Sequence, residues 1–167
     1  LVGNASVAYS KASPEVCIIE DVVTVPQARG LGIARRLTER GMQIGFAAGC
    51  KVAYLGNLPT PHCVYEKIGF RRISGVFMRC VGPGGEAYET DAFQHGQETS
   101  IRDTNWGDLP NVACLLAQPM RILLAHYDEG LASTRYVPGT RCVSAFTATK
   151  YATETRGGRM LSLVSEK

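Results

Sequence analysis

The spacing of apolar residues changes from the period of a strand to that of a helix and back within the first part of the chain. LVGNASVAYS and EVCIIEDVVTV are rich in β-branched residues and are separated by a Ser-Pro break, which predicts an antiparallel pair of strands. Apolar residues then recur at helical spacing, with arginines between them, at Ile33, Leu37 and Ile44. This pattern predicts an amphipathic helix that begins near Leu31 and ends at Gly49.

Shorter apolar segments follow the helix. KVAYLGN predicts a buried strand, and PHCVYEKIG predicts a short helix closed by Gly69. FRRISGVFMRC predicts a last strand in which Gly75 marks a bulge. Strands and one long helix therefore alternate up to about residue 80.

A second series of elements lies at the other end of the chain. TSIRD predicts a strand, and DLPNVACLLAQ predicts a helix with Asp108 as N-cap and Pro110 in the first turn. TRCVSAFTATKYATET predicts another helix, and GGRMLSLVSEK predicts a strand from its alternating apolar positions.

The stretch between these two series differs from both. Residues 82–100 contain four carboxylates, no lysine or arginine, and several glycines near their start, with little periodicity. Such a composition is typical of a linker or loop. We therefore predict three parts, 1–81, the linker 82–100, and 101–167.

Composition narrows the class of protein. The 167 residues are 45% hydrophobic and carry a net charge of +3, which predicts one soluble α/β domain and does not favour nucleic-acid binding. No apolar run is long enough to span a membrane, and LVGNASV does not resemble a signal peptide, so we expect a cytoplasmic protein. The six cysteines form no CxxC motif, which predicts buried thiols and no metal site.

The turn between the second strand and the first helix carries the clearest chemical signal. In QARGLG, Gly30 and Gly32 stand where the helix must begin, although glycine has a low helix propensity. The first N–H groups of a helix lack partners and lie at the positive end of its dipole. Glycines there let an anion approach the backbone closely, so the turn predicts a phosphate site.

Gln27, Arg29, Gly30 and Gly32 fit Q/R-x-x-G-x-G/A, and this stretch resembles the pyrophosphate-binding motif of the GNAT superfamily of acyl-CoA-dependent N-acetyltransferases. The preceding strand IIEDVVTVP and the segment YEKIGF also resemble that superfamily, in the same order along residues 1–80. The resemblance implies an α/β (α+β) fold with a mixed, mostly antiparallel twisted sheet flanked by helices.

The order of the two halves departs from the family. The elements of residues 101–167 resemble the start of a GNAT fold, yet they follow the half that carries the CoA motif. We therefore predict a circularly permuted strand order. Either residues 82–100 lead the chain back across one domain, or two chains exchange halves in a domain-swapped homodimer.

The resemblance also implies which residues bind acetyl-CoA as cosubstrate, with no metal. The end of the second strand would pair with the pantetheine arm, the turn and helix start would hold the pyrophosphate, and an asparagine would hydrogen-bond the pantetheine. These residues are Val23, Thr24, Val25, Arg29, Gly30, Leu31, Gly32, Ile33, Ala34 and Asn57.

Catalytic residues follow from the same resemblance. Tyr65 matches the family tyrosine that protonates the departing thiolate. Glu20 and Asp21 are candidates for the base, and strand alternation sends them to opposite faces. Glu20 is favoured because IIEDVV resembles a strand of glucosamine-6-phosphate N-acetyltransferases. His62 is a third candidate, since a neutral imidazole is a suitable base, or it caps the helix.

The implied reaction is acetyl transfer from acetyl-CoA to a primary amine of a small molecule, with an amino sugar as one acceptor. Two alternatives keep the CoA site. One is decarboxylation or S-acyl transfer, as in GNAT-like loading domains, with His62 and Thr24 as the active pair. The other is an acyl-CoA-binding module without turnover.

Overall fold

The computed structural model describes residues 1–57, 64–74, 77–93, 98–118, 124–126, 130–132 and 140–165, with backbone only at 74, 124–126, 130–132 and 140–145. The strands are β1 (Gly3–Tyr9), β2 (Val16–Thr24), β3 (Val52–Gly56), β4 (Arg71–Ser74), β5 (Phe77–Val81), β6 (Thr99–Asp103), β7 (Leu124–His126), β8 (Gly130–Ala132) and β9 (Leu161–Ser165). The helices are α1 (Ile33–Ala47), α2 (Tyr88–Ala92), α3 (Leu109–Ala117) and α4 (Thr140–Thr155).

The central sheet has five strands in the order β1-β2-β3-β5-β4. β2 and β3 run parallel, and the other neighbouring strands of this sheet run antiparallel. β6 pairs with β9 and β7 pairs with β8, each antiparallel. The mixed, mostly antiparallel sheet flanked by helices confirms the fold class predicted from the sequence, and β1–β2 is the predicted antiparallel pair.

Helix α1 covers one face of the sheet by close backbone approach. Gly41 lies against Ile19, and Gly45 lies so close to Cys17 that an added Cβ would stand 2.5 Å from its Sγ. Cys17 and Cys50 are buried beneath the helix, and burial raises the pKa of both thiols, so they remain protonated at neutral pH. These cysteines fill the core as small apolar groups.

Helix α3 covers the opposite face, and a polar network joins it to the sheet. The hydroxyl of the fully buried Tyr54 donates to the carboxylate of Glu89 and accepts a hydrogen bond of 3.1 Å from the thiol of Cys114. Glu89 also pairs with Arg79 of β5. The stretch 82–100, predicted as a linker, thus contains a short helix, α2, that hydrogen-bonds to the core.

The β6–β9 pair and α4 hold a buried lysine. The Lys150 ammonium donates to the carbonyl oxygen of Thr104 at 2.6 Å and to Glu154, and it lies 5.2 Å from the centroid of the Trp106 ring. These partners compensate the desolvation of a side chain that is only 3% exposed. The buried charge ties α4 to the segment that follows β6.

The second half of the chain packs on the first, because α3 contacts β1, β2 and β3. Within the described residues, β9 has β6 as its strand partner and does not pair with β1. The permuted order and the division into 1–81, 82–100 and 101–167 stay predictions.

FRRISGVFMRC was predicted as one strand with a bulge, and this was wrong. β4 and β5 are two antiparallel strands, with Arg71 opposite Arg79 and Ser74 opposite Phe77. β5 pairs antiparallel with β3 as well as with β4, and the sequence pattern does not specify such long-range pairing.

Asp108 does precede α3, as predicted, but its side chain does not cap that helix. One carboxylate oxygen accepts from the N–H of Asn105 at 2.8 Å, and both oxygens bind the Arg102 guanidinium at 2.8 and 2.7 Å. These donors lower the pKa of Asp108 against the opposing effect of its burial.

In PHCVYEKIG, the described part contains one 3-10 turn, Glu66–Ile68.

The two glycines of α1 provide a matched test of the helix–sheet contact. Gly45→Ala places a methyl group against Cys17 Sγ and should lower the free energy of unfolding by about 1–3 kcal/mol through overpacking. Gly41→Ala meets its nearest side-chain atom at 3.4 Å, so helix propensity should dominate and raise stability by up to about 1 kcal/mol. Urea denaturation measures both. Equal effects of the two substitutions would contradict this packing.

Candidate active site

The two parallel strands at the centre of the sheet separate before either of them ends. β2 and β3 pair from Val16–Val52 to Ile18–Tyr54, after which β2 continues to Thr24 and β3 to Gly56. Beyond Ile18, the side of β2 that faced β3 has no strand partner among the described residues. This leaves backbone groups in the gap between the strands for a bound extended ligand to pair with.

A bulge in β2 lies next to this gap. Glu20 pairs with Ser6 of β1, whereas Val23 pairs with Asn4, so β2 has one residue more than β1 across this interval. Asp21 takes up the extra length with a φ of 52°, and its carboxylate accepts from the Ser6 hydroxyl at 3.3 Å. Bulges bend a strand and increase its twist, so β2 changes direction here, beyond the point where its pairing with β3 ends.

The bulge also changes which side chains share a face. Ile19 and Val22 both pack against the core beneath α1, although they are three residues apart. Strict alternation would place them on opposite faces. Ile18 packs on the α3 face, so Glu20, two residues further and before the bulge, lies on that face as well. Regular alternation was predicted to place Glu20 and Asp21 on opposite faces of the sheet. The bulge interrupts that alternation at Asp21.

Glu20 is the half-buried carboxylate at the start of the gap. Burial raises its pKa above the ordinary value, and the neighbouring charge of Asp21 raises it further. A carboxylate with a raised pKa holds a transferred proton more firmly than an exposed one. This environment suits a general base.

The turn that precedes α1 has the backbone conformation that its glycines predict. Gly30 and Gly32 have φ values of 81° and 72°, and an added Cβ at either position would meet no atom within 4 Å. Glycine is therefore favoured by backbone conformation and not by crowding. The space beside both residues is open to a ligand.

The start of α1 has donors without acceptors. No side chain caps the helix, and the N–H groups from Gly30 to Arg35 have no acceptor among the described residues. The N–H of Arg36 makes the first helical bond, to Gly32 at 3.0 Å. Arg29 differs from the prediction, because its own N–H donates to Pro26 at 3.2 Å. The unpaired donors begin one residue later.

The end of β2 is only partly available to a ligand. Val23 is 58% exposed, and the Oγ1 of Thr24 is buried without a partner in the described structure. Both backbone groups of Val25 are already hydrogen-bonded within the protein. Its N–H donates to Val2 and its carbonyl oxygen accepts from Ala28, both at 3.0 Å. Pairing with an extended ligand therefore falls on the residues before Val25.

Tyr65 lies after β3 and is partly buried against the core beneath α1. Its ring meets that of Phe70 edge to face with centroids 6.2 Å apart, and its carbonyl oxygen accepts from the N–H groups of Ile68 and Phe70. The carbonyl oxygen of Asn57 accepts from Arg72 at 3.2 Å. His62 lies outside the described residues.

Sequence reasoning missed the bulge and the contribution of Ser6. The one sequence signal was the adjacent pair Glu20-Asp21 inside an otherwise apolar strand.

No group of histidine, cysteine or carboxylate side chains in the described part of the chain is arranged to hold a metal ion. No helix in that part is long and apolar enough to cross a membrane.

Comparison with known proteins adds three findings. No curated protein matches the chain. Nourseothricin acetyltransferase is similar in structure, with a TM-score of 0.43 and 20% identity over 50% of this chain, and the matched part is 59% of the length of that enzyme. Rv2747 from Mycobacterium tuberculosis, solved in complex with CoA, has a TM-score of 0.41 and 14% identity over 99% of this chain and 68% of its own.

The family comparison matches the part of the chain that holds the site. The profile of the acetyltransferase (GNAT) family matches residues 1–70. This range contains the separated strands, the bulge, the glycine turn and Tyr65. Residues 1–70 are therefore similar to the acetyltransferase (GNAT) family.

Proposed function

We propose that the protein transfers an acetyl group from acetyl-CoA to a primary amine of a small molecule, an amino sugar being one suitable acceptor. The observation that carries this proposal is the row of unpaired N–H groups from Gly30 to Arg35. These donors stand at the positive end of α1, next to the gap between β2 and β3.

The chain's part in binding is to position the two substrates. The N–H groups from Gly30 to Ala34 would hold the pyrophosphate, and the free edge of β2 would pair with the pantetheine arm through Thr24, because the register directs the backbone groups of Val23 and Val25 toward β1. Asn57, at the end of β3, lies on the other side of the gap and would bind the same arm. Fixing the acyl donor beside the amine makes the attack effectively unimolecular.

The chain's part in the chemistry is to move protons. Acetyl-CoA, when bound, supplies the acetyl group as a thioester. Glu20 would take the proton that the amine must lose, directly or through water, and Tyr65 would give a proton to the departing thiolate. Of the carboxylates in IIEDVV, Glu20 is favoured because it is half-buried and has a raised pKa, whereas Asp21 is exposed and bonded to Ser6.

The proposal extends to partners and location. The acceptor would be a small molecule, and neither a nucleic acid nor a membrane is required. A homodimer and a cytoplasmic location stay part of the proposal.

Aspartates in the glycine turn should abolish binding of acetyl-CoA. A Gly30→Asp, Gly32→Asp double variant places two carboxylates where the pyrophosphate would lie, so affinity in calorimetric titration should fall at least about 100-fold. Gly84→Asp is the matched control, because Gly84 also has a positive φ, 69°, with no atom near its Cβ position. Its affinity should equal that of the wild type. A wild type that folds but does not bind acetyl-CoA would contradict the proposal.

Removing the carboxylate of Glu20 should leave binding intact and slow turnover. Glu20→Gln should lower kcat by about 100-fold or more, and Tyr65→Phe should do likewise, as expected for the loss of general acid–base groups. Because the pKa of Glu20 is raised by folding, its charged form opposes stability above the ordinary carboxyl pKa. Glu20→Gln should therefore be at least as stable as the wild type at neutral pH.

The pH profile provides a second readout of the same base. Asp21→Asn removes a charge that raises the pKa of Glu20, so the rising limb of kcat/KM should move to lower pH. Asparagine tolerates the positive φ at this position, so the bulge should persist. A limb that does not move would exclude Glu20 as the titrating base. Unchanged kcat in Glu20→Gln would exclude Glu20 as the base, whereas binding of acetyl-CoA without turnover of any amine would favour a non-catalytic acyl-CoA module.

A further inference from the structure

The five-stranded sheet and the β6–β9 pair each have one protected edge and one unprotected edge. Edge strands commonly carry charged residues or proline that prevent pairing with another chain. β4 carries Arg71 and Arg72, and β6 carries Arg102 and Asp103. β1, GNASVAY, and β9, LSLVS, have neither a charged residue nor a proline. The structure therefore leaves two edges open that have no device against strand addition.

The ribbon face, defined by Ile101, Leu161 and Leu163, is apolar and exposed. These side chains are 70%, 61% and 69% exposed, and Ile101 lies directly opposite Leu163 in the β6–β9 pair. Exposed aliphatic side chains that lie together mark a contact surface more often than isolated ones do.

The α1 groove lies beside the other open edge. It is a cavity of about 590 Å³ with apolar residues Val2, Ile33 and Leu37 and a polar rim of Arg36, Glu39, Arg40 and Gln43. An added Cβ on Gly3 would meet both Ile33 and Leu37, so the groove adjoins the start of β1. The apolar side chains of a strand paired with the free edge of β1 would therefore lie in the α1 groove.

The charges around the two surfaces are complementary. Asp103 and Arg159 form an ion pair at one end of the ribbon face, with side chains that are 60% and 70% exposed. The rim of the groove offers Arg36 and Arg40 to the carboxylate and Glu39 to the guanidinium. The ribbon face and the α1 groove can therefore meet with opposite charges facing each other.

We propose that β9 of one copy pairs with β1 of a second copy, with the ribbon face seated in the α1 groove. The partner is a second copy because both edges and both complementary surfaces belong to this chain, and neither edge has a strand partner among the residues that the structure describes. This dimer is a specific form of the homodimer named under the proposed function. The reciprocal contact gives a two-fold dimer in which the junction occurs twice. Each central sheet would continue through the partner's β9 and β6.

Sedimentation of wild type and single variants across the micromolar range tests the dimer. Leu163→Lys places an ammonium opposite Arg36 and Arg40 and should raise the dimer dissociation constant about 100-fold. Leu163→Glu removes the same apolar contact but can pair with those arginines, so its effect should be smaller. Leu115→Lys, at a 51% exposed leucine of α3, is the control and should leave the constant unchanged.

Circular dichroism accompanies each sample, and because Leu163 is exposed its variants should have the wild-type spectrum. At concentrations low enough to dissociate the wild type, they should also unfold at the wild-type temperature. A wild type that is monomeric throughout the range would overturn the proposal. A dimer that responds equally to Leu163→Lys and Leu115→Lys, or to neither, would overturn it as well. None of these readouts depends on acetyl-CoA, so they are independent of the proposed enzyme activity.

Discussion

The separation of β2 from β3 is the constraint on which the candidate site depends. Parallel pairing ends at Ile18 and Tyr54, and the bulge at Asp21 follows three residues later in β2. A bulge is stable here because β1 still pairs with β2 on both sides of it and the Ser6 hydroxyl holds the Asp21 carboxylate. The gap is thus produced by the sheet itself and needs no loop to form it.

Two further features of the candidate site are positioned by β2 relative to this gap. The end of β2 leads through a short 3-10 turn into α1, so the unpaired N–H groups from Gly30 to Arg35 start where the free strand edge ends. Glu20 lies at the other end of the free edge, half-buried by the sheet. A donor site for an anion and a carboxylate with a raised pKa are therefore fixed to one strand. This arrangement would hold the two parts of the proposed acyl-transfer site at a constant separation, as preorganised catalysis requires.

The two halves of the chain form a common core through polar as well as apolar contacts. Tyr54 of β3 reaches Glu89 of α2 and Cys114 of α3, so its hydroxyl group is satisfied although the side chain is fully buried. Buried polar networks of this kind are costly when one member is lost, which favours a single docking geometry for α3. Among the described residues, β1 and β9 each have one edge without a strand partner, although β1 itself packs against both α1 and α3.

The sequence by itself determined the features that rest on local backbone preferences. Hydrophobic periodicity located β1, β2, α1, β3, α3, α4 and β9, and the glycines of QARGLG located the start of α1 and its positive φ values, because both are local properties. Only the tertiary structure decided the bulge at Asp21, the antiparallel pairing of β4 with β5, and the pairing of Asp108 with Arg102. Each of these depends on a partner brought near by folding, since alternation and capping preferences do not specify which neighbour a residue will meet. The same reason explains the raised pKa of Glu20, which follows from burial in the sheet and not from the residue type.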